Sequence, residues 1–520
     1  MWIANAERCR EMDRRASEEF EVPLRSLMEQ AGKAVFEEIR RQLPDGGRVS
    51  IFCGCGNNGG DGFVAARLAQ ENGYQVECLV AGNEQVLGDL PKGQMACARA
   101  QGVPILFATD RRYQRRLECL GCRDLAIDAL LGTGVKGEAR GPVLEAIQAI
   151  NRSGVPVVSV DVPSGIDCDS GEELGESVWA RKTITFGLPK PFLFQGTGLE
   201  HAGSWEVADI GFPPSLLVEP TDARLIGCEW VAGMVPERMR SSHKGDNGHV
   251  LILAGSQSMP GAAVMAAKSA IRSGAGLVTV AAIPYVCQIV ASHVPECIFF
   301  PLPESDGMVA PEAADLILES SERWQSAVVG PGLTHREPVL EFLRRLWADW
   351  RLATVIDADA LNAVSLGVPL PPADCVLTPH PGEMSRLIRA STAEIQSDRF
   401  GALKQAVEQY GHCCLLKGPY SIVGDQGEPL HVNPTGNAGM ASGGMGDVLS
   451  GVIATLLAQS VPPFYAASSA MYWHGMAGDL CAQELGNIGY SAMDVANSLP
   501  RARAKIVASC DYETCCQPSC

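Results

Sequence analysis

Positive charge is what this chain is short of. Across 520 residues, 42 Lys and Arg stand against 60 Asp and Glu, a formal net charge of -18 at pH 7. A general nucleic-acid binder needs a basic face, so that class is excluded. Nucleotides are not, because backbone amides and one or two cations hold them. No secretory leader is visible: Glu7, Arg8, Arg10, Glu11 and Asp13 occupy the place of its apolar core. Long hydrophobic runs are scarce. Residues 274–295 carry no charge, but Pro284, Gln288 and His293 interrupt them. Residues 277–281 predict a buried strand followed by a helix, so no membrane span is expected. Zinc-spaced cysteine pairs are also missing, since only Cys119 and Cys122 among 19 cysteines form C-x-x-C. Cys510, Cys515, Cys516 and Cys520 gather at the end, where 506–520 predicts a frayed tail with reduced thiols. These features point to a reducing, cytoplasmic setting. No short repeat is present, which excludes a solenoid. What is left is an ordinary globular composition, in a chain too long for one core.

The most informative segment is NAGMASGGMGDVLSG at 437–451. Small residues surround one carboxylate, Asp447, and Val448, Leu449, Val452, Ile453, Leu456 and Leu457 continue with helical spacing. Glycines at 443, 444 and 446 let backbone approach a ligand, and the amides opening the helix form an anion site. Phosphate and carboxylate repel, so an Asp beside such a site is oddly placed for a structural purpose. It suits a base that takes a proton from a hydroxyl while those amides hold a phosphoryl group. The alternative is a Gly-rich loop whose Asp caps a helix.

The first half alternates strands and helices. An apolar run at 48–53 ends in Gly54-Cys55-Gly56-Asn57-Asn58-Gly59-Gly60-Asp61-Gly62, and 63–69 begins a helix. Strand, Gly-rich turn and helix is the arrangement that cradles phosphate, here crowded with polar groups unlike the dinucleotide fingerprint. A strand at 125–131 carries Asp128 into Gly132-Thr133-Gly134-Val135-Lys136-Gly137. A third, at 157–160, ends in Asp161-Val162-Pro163-Ser164-Gly165-Ile166-Asp167. Loops at the carboxyl ends of parallel strands line one crevice, so Asn58, Asp128, Asp161 and Ser164 would bring hard oxygens together. Such a set suits an alkali or alkaline-earth ion better than a transition metal. A last strand is expected at 206–212, and the prolines at 213, 214 and 220 mark a domain exit.

The second half repeats the theme. Strands are expected at 249–254, 328–329, 353–356, 376–378 and 413–416, each running into glycines or one reactive side chain. His380 lies between two prolines, an unusual place for a core histidine, and is assigned to substrate contact.

At this point the chain resembles the bifunctional NAD(P)H-hydrate repair enzymes over nearly its whole length. The resemblance rests on GCGNNGGDG at 54–62, DALLGTGVKG at 128–137 and DVPSGID at 161–167. In the second half it rests on HKGDNGHVLILAGS at 243–256, DADALN at 357–362, TPHPGE at 378–383, LKGP at 416–419 and GGMGDVLSG at 443–451. It implies a Rossmann-like α/β/α epimerase domain over 1–223 and a ribokinase-like α/β dehydratase domain over 228–505. The implied substrates are the hydrates NADHX and NADPHX, with ADP as the usual phosphoryl donor in bacterial members. Carried over by motif, the first site would bind hydrate through Asn57, Asn58, Gly59, Gly60 and Asp61, through Gly132, Thr133, Gly134, Val135, Lys136, Gly137 and Glu138, and through Asp161. K+ would sit on Asn58, Asp128 and Ser164. In the second site hydrate would meet Ala262, Gly332, His380 and Asp447. ADP with Mg2+ would lie along Lys417, Gly418, Pro419, Tyr420 and Ser421 and at Gly446. Asp447 and Asp161 would be the catalytic residues. An α/β enzyme of this kind is expected to self-associate. The competing expectation is a ribokinase-like small-molecule kinase fused to a nucleotide-binding regulatory domain.

Overall fold

The computed structural model describes residues 1–514, which divide into two compact units, Met1–Ala223 and from Arg224 onward. The first is built on seven strands: β1 (Arg48–Cys53), β2 (Gln75–Val80), β3 (Ile105–Phe107), β4 (Leu125–Ala129), β5 (Val157–Val160), β6 (Lys182–Phe186) and β7 (Ser204–Ala208). Their order is β3-β2-β1-β4-β5-β6-β7, and all are parallel. A parallel sheet is covered on both faces, so its strands are apolar throughout. In β1, Val49, Ile51 and Cys53 enter one core cluster and Phe52 enters the cluster on the other face. The strand order reverses between β1 and β4, which opens a crevice beyond their carboxyl ends.

Two sequence expectations shift here. The Gly-rich turn at 57–62 is itself helical, because the helix runs Asn57–Glu71 rather than starting at 63. A Cβ on Gly59 would stand 2.1 Å from the Gly54 carbonyl oxygen, so glycine there permits helix and turn to touch. The last strand is Ser204–Ala208, earlier than 206–212; Ile210 and Phe212 instead pack with Met12, Ala16, Leu27 and Leu216 in a satellite core.

The chain enters the second unit along β8 (Ala223–Leu225). Then follow β9 (His249–Leu253), β10 (Leu277–Ala282), β11 (Ile298–Pro301), a small hairpin of β12 (Glu304–Ser305) and β13 (Met308–Val309), and β14 (Ser326–Val329). The remaining strands are β15 (Ala353–Ile356), β16 (Cys375–Leu377), β17 (Cys413–Leu416), β18 (Ile422–Gly424) and β19 (Leu430–Val432). The large sheet has the order β11-β10-β9-β14-β15-β16-β17-β18-β19-β8. It is parallel from β11 to β17, and β18 and β19 turn back antiparallel. The uncharged stretch at 274–295 forms β10 and the helix Pro284–His293, as expected. Among the described residues no helix is long and apolar enough to cross a membrane.

The helix Met445–Ala458 is almost wholly buried and packs along Pro260–Ser273. The last helix runs to Thr514, so 506–514 are helical where a frayed tail was expected. Cys515, Cys516 and Cys520 lie outside the described residues.

Candidate active sites

In the first unit the crevice is a cleft of about 650 Å³. Asn57, Asn58, Asp61, Gly132, Thr133, Gly134, Val135 and Asp161 line it. Other residues assigned to the hydrate do not. Gly59 and Gly60 are buried, Gly60 facing the Met28 side chain, and Lys136, Gly137 and Glu138 are exposed beyond the lining. The two glycines shape the helix start instead. The helix there leaves its first amides without intrahelical acceptors, which makes that end of the cleft anion-binding.

Asp161 follows β5 with φ at +65°, a left-handed conformation that non-glycine residues adopt at a cost of about 1–3 kcal/mol. The strain is held by a clamp. Lys190 Nζ, 2% exposed, donates to Asp161 Oδ1 at 2.6 Å, to Thr185 Oγ1 at 2.8 Å and to the Phe186 carbonyl at 2.9 Å. Thr185 Oγ1 donates to the same carboxylate at 3.2 Å. Sequence reasoning missed Lys190, although Pro189 and Pro191 fix it between two prolines as Pro379 and Pro381 fix His380.

Asp128 and Ser164 stand behind the cleft wall. Asp128 is 0% exposed and accepts from Ser159 Oγ at 2.8 Å, Ser164 N at 2.9 Å, Ser164 Oγ at 2.5 Å and Leu130 N at 3.3 Å. Burial still pushes its carboxyl above the ordinary value, the serine hydrogen bonds opposing. Ser164 Oγ accepts from Leu131 N at 2.9 Å, and Asn58 Nδ2 donates to the Leu131 carbonyl at 2.7 Å. Asn58 and Ser164 therefore meet at Leu131, and Asp128 holds Ser164 from behind.

The second unit gathers its polar groups at the ends of β15, β16 and β17. Asp357, 1% exposed, accepts from Lys417 Nζ at 2.7 Å and from Ser450 Oγ at 2.8 Å. Burial opposes its charge, but the Lys417 ammonium and these hydrogen bonds outweigh that and hold it ionised, below its ordinary value. Glu383 Oε2 lies 3.7 Å from the same ammonium. Gly446 opens the helix that carries Asp447, and a Cβ there would stand 3.1 Å from Lys417 Nζ and 3.6 Å from Asp357 Oδ2. The missing side chain thus brings backbone amides against the half-buried Lys417 ammonium.

Asp447 sits in the first turn of that helix, partly buried and with no hydrogen bond among the described residues. Burial first, then the Asp357 carboxylate, pushes its pKa up to about 7, with Lys417 pulling the other way. A carboxylate of that pKa is matched to taking a proton at neutral pH.

His380 has a role that its flanking prolines did not reveal. Its Nδ1 accepts from Gly382 N at 3.0 Å and Glu383 N at 3.3 Å, while Glu383 Oε2 accepts from His380 N at 2.8 Å. This reciprocal cap starts the helix Pro381–Ile388 and fixes Glu383 beside Lys417. Burial and the Lys417 charge lower the pKa of His380, so its ring is neutral, and Nε2 lies 3.4 Å from Glu383 Oε1. Ala262 and Gly332 do come together, with a Cβ on Gly332 only 3.0 Å from that of Ala262. The segment Lys417–Ser421 is split: Lys417 turns inward, Gly418 and Pro419 are exposed, and Tyr420 is left-handed at φ +48°. Beneath Gly418 lies the buried Arg399 guanidinium. The residues missed here are Asp357, Glu383 and Ser450, although all three stood in motifs already noticed.

Each unit thus carries its own polar site beyond the carboxyl ends of its parallel strands. A bifunctional NAD(P)H-hydrate repair enzyme of Moorella thermoacetica is 37% identical over 509 residues, 96% of each chain. The chain belongs to the bifunctional NAD(P)H-hydrate repair enzymes. Members of this family from Coxiella burnetii and Escherichia coli are 39% and 35% identical, over 90% and 96% of this chain and 93% of each of theirs. A family model described as NAD(P)H-hydrate dehydratase matches residues 250–501, and one described as YjeF-related protein N-terminus matches 24–192. Among solved structures, the ADP/ATP-dependent NAD(P)H-hydrate dehydratase of Bacillus subtilis, co-crystallised with ATP and Mg2+, is 32% identical. It aligns with 54% of this chain and 98% of its own, with a TM-score of 0.50. A ribokinase-like protein of Enterococcus faecalis, 24% identical with a TM-score of 0.50 over 56% of this chain and 98% of its own, shares the fold.

Proposed function

We propose that the chain repairs hydrated nicotinamide cofactors, epimerising the R and S hydrates in the first unit and dehydrating the S hydrate with ADP in the second. The observation that carries this reading is Asp447: a carboxyl without hydrogen bonds, poised near pH 7, beside amides that open a helix. Hydroxide is a poor leaving group, so the C6 hydroxyl is phosphorylated first. Asp447 takes the hydroxyl proton as the oxygen attacks the terminal phosphorus of ADP, and AMP leaves. The lone pair of ring nitrogen N1 then expels phosphate from C6, and loss of a C5 proton restores the dihydronicotinamide. The amides at 444–446 and Lys417 face the migrating phosphoryl group.

Asp357, Asp359, Glu383 and Asp447 oppose one ammonium in this site. A polyphosphate entering so negative a pocket needs a divalent cation, and carboxylate oxygens are the donors Mg2+ takes. When bound, Mg2+ would neutralise the nucleotide's phosphates. In the first site the all-oxygen set of Asn58, Asp128, Ser164 and the Leu131 carbonyl fits K+, whose charge would offset the buried Asp128. Asp161, oriented by the Lys190 contact, is the base that moves the hydroxyl proton during epimerisation.

The test is racemic NADH hydrate with ADP and Mg2+, followed by the near-ultraviolet band of the reduced cofactor. Full recovery, faster than spontaneous epimerisation allows, is expected. A stall near half removes the epimerase, and no recovery with ADP or ATP removes the repair reading in favour of a small-molecule kinase.

A further inference from the structure

The cleft of the first unit holds more acid than one base accounts for. Asp13, Asp61 and Asp161 all line it, together with the buried ammonium of Lys190 and, at the exposed rim, the Arg10 guanidinium. That ammonium is spent on Asp161. Asp61, 8% exposed, has no hydrogen bond or ion pair among the described residues, and neither has Asp13. A buried structural carboxyl is normally hydrogen-bonded, so Asp61 without a partner, beside a half-buried Asp13 also without one, points to a ligand.

Asp13 comes from the helix Ala6–Glu18, outside the residues 24–192 that the N-terminal family model covers. This helix is firmly docked. Asn5 caps it, Asp169 Oδ1 accepts from Ala6 N at 2.7 Å, and Arg8 and Arg15 both pair with Glu219. Met12 and Ala16 are buried with Leu27, Ala31 and Leu188, which turns Asp13 to the cleft. Asp61 and Asp161 both act on it electrostatically. We propose that Asp13 is the second proton-transfer residue of the epimerase, acting opposite Asp161; this rests on the epimerase reading above.

The hydrated carbon carries both a hydroxyl and the ring nitrogen, so inversion needs two proton transfers. Asp161 takes the C6 hydroxyl proton, the C6 carbonyl forms, and the C6–N1 bond breaks with its electron pair going to N1. Asp13 gives its proton to N1. The open aldehyde then turns its other face, N1 attacks C6 again, Asp13 recovers the N1 proton and Asp161 returns its own to oxygen. Nothing is oxidised and no proton is gained or lost.

The groups facing Asp13 agree with these roles. They are Cys9 on its own helix, Asp61, Asp161 and Lys190. Burial, then the Asp161 charge, raises Asp13 to about 6, with Lys190 opposing. Cys9, pushed up to about 11 by burial, stays a neutral thiol.

The experiment uses the full chain, purified R hydrate and no nucleotide, reading the R to S ratio by chromatography between about pH 5 and about pH 8. The wild-type rate is expected to fall as pH rises past about 6. Asp13→Asn should lower it by about 10²-fold or more and abolish that fall, and Asp13→Glu should restore part of both. Dehydration of S hydrate with ADP should be unchanged in each variant. Asparagine within threefold of wild type, or loss of rate in both variants with the pH dependence intact, overturns the proposal. A wild type no faster than buffer overturns the epimerase reading itself.

Discussion

Asp447→Asn should inactivate the dehydratase and stabilise the fold. The folded-state pKa of about 7 lies above the ordinary 3.8. Between those two values the folded chain therefore keeps a proton that the unfolded chain has released, and stability falls as pH rises. Asparagine does not titrate. Its advantage over wild type should be nil below about pH 4, grow through the window and level off above about pH 7. A difference of roughly three pH units at about 1.4 kcal/mol each sets a ceiling of about 4 kcal/mol. Screening at a partly exposed carboxyl reduces this to about 2–3 kcal/mol. For a unit of this size that is about 4–8 °C in melting temperature. Calorimetry of both proteins across pH, following the transition of the second unit, reads the gap directly. A gap that does not change with pH, or a variant less stable than wild type at about pH 8, would refute the account of why Asp447 is a base.

Three other outcomes follow from the same geometry. Lys417→Met leaves Asp357 buried without its ion partner and should destabilise the second unit by about 3–5 kcal/mol in denaturant unfolding; adding Asp357→Asn should recover most of it. Gly59→Ala drives a Cβ to 2.1 Å from the Gly54 oxygen, so a backbone shift costing about 3 kcal/mol should cripple epimerisation in the chromatographic assay while dehydration persists. Epimerisation should be activated by K+ and not by tetramethylammonium, and Asn58→Ala should raise the half-saturating K+ by about tenfold or more; a rate indifferent to K+ would remove the ion from the site.

Much of the fold was legible because parallel strands buried on both faces announce themselves as short apolar runs. Residues 48–53, 157–160, 353–356 and 413–416 are strands with the bounds their composition suggested. The bounds failed where packing decides. Glycines at 59, 60 and 62 look like a turn, but they are helical, with Gly59 and Gly62 lying too close to β1 and its turn for side chains and Gly60 against Met28. The sites were legible through residues whose chemistry is conspicuous in sequence, such as Asp447 after three glycines. Partners were not. Lys190 and Asp161 are 29 residues apart and Lys417 and Asp357 are 60, and nothing local signals that each lysine is paired with that aspartate. Asp13 was passed over for the same reason: on an exposed-looking, charge-rich helix, only the docking of Met12 and Ala16 aims it inward.

The central claim is that Asp447 takes the hydroxyl proton in nucleotide-driven dehydration, and the pH–rate profile of S hydrate with ADP and Mg2+ tests it most directly. The account predicts a rate that climbs as Asp447 ionises, levels above about pH 7, and falls by about 10²–10⁴-fold in Asp447→Asn. A flat profile from about pH 5 to about pH 8, with the variant keeping a tenth or more of the rate, would contradict it.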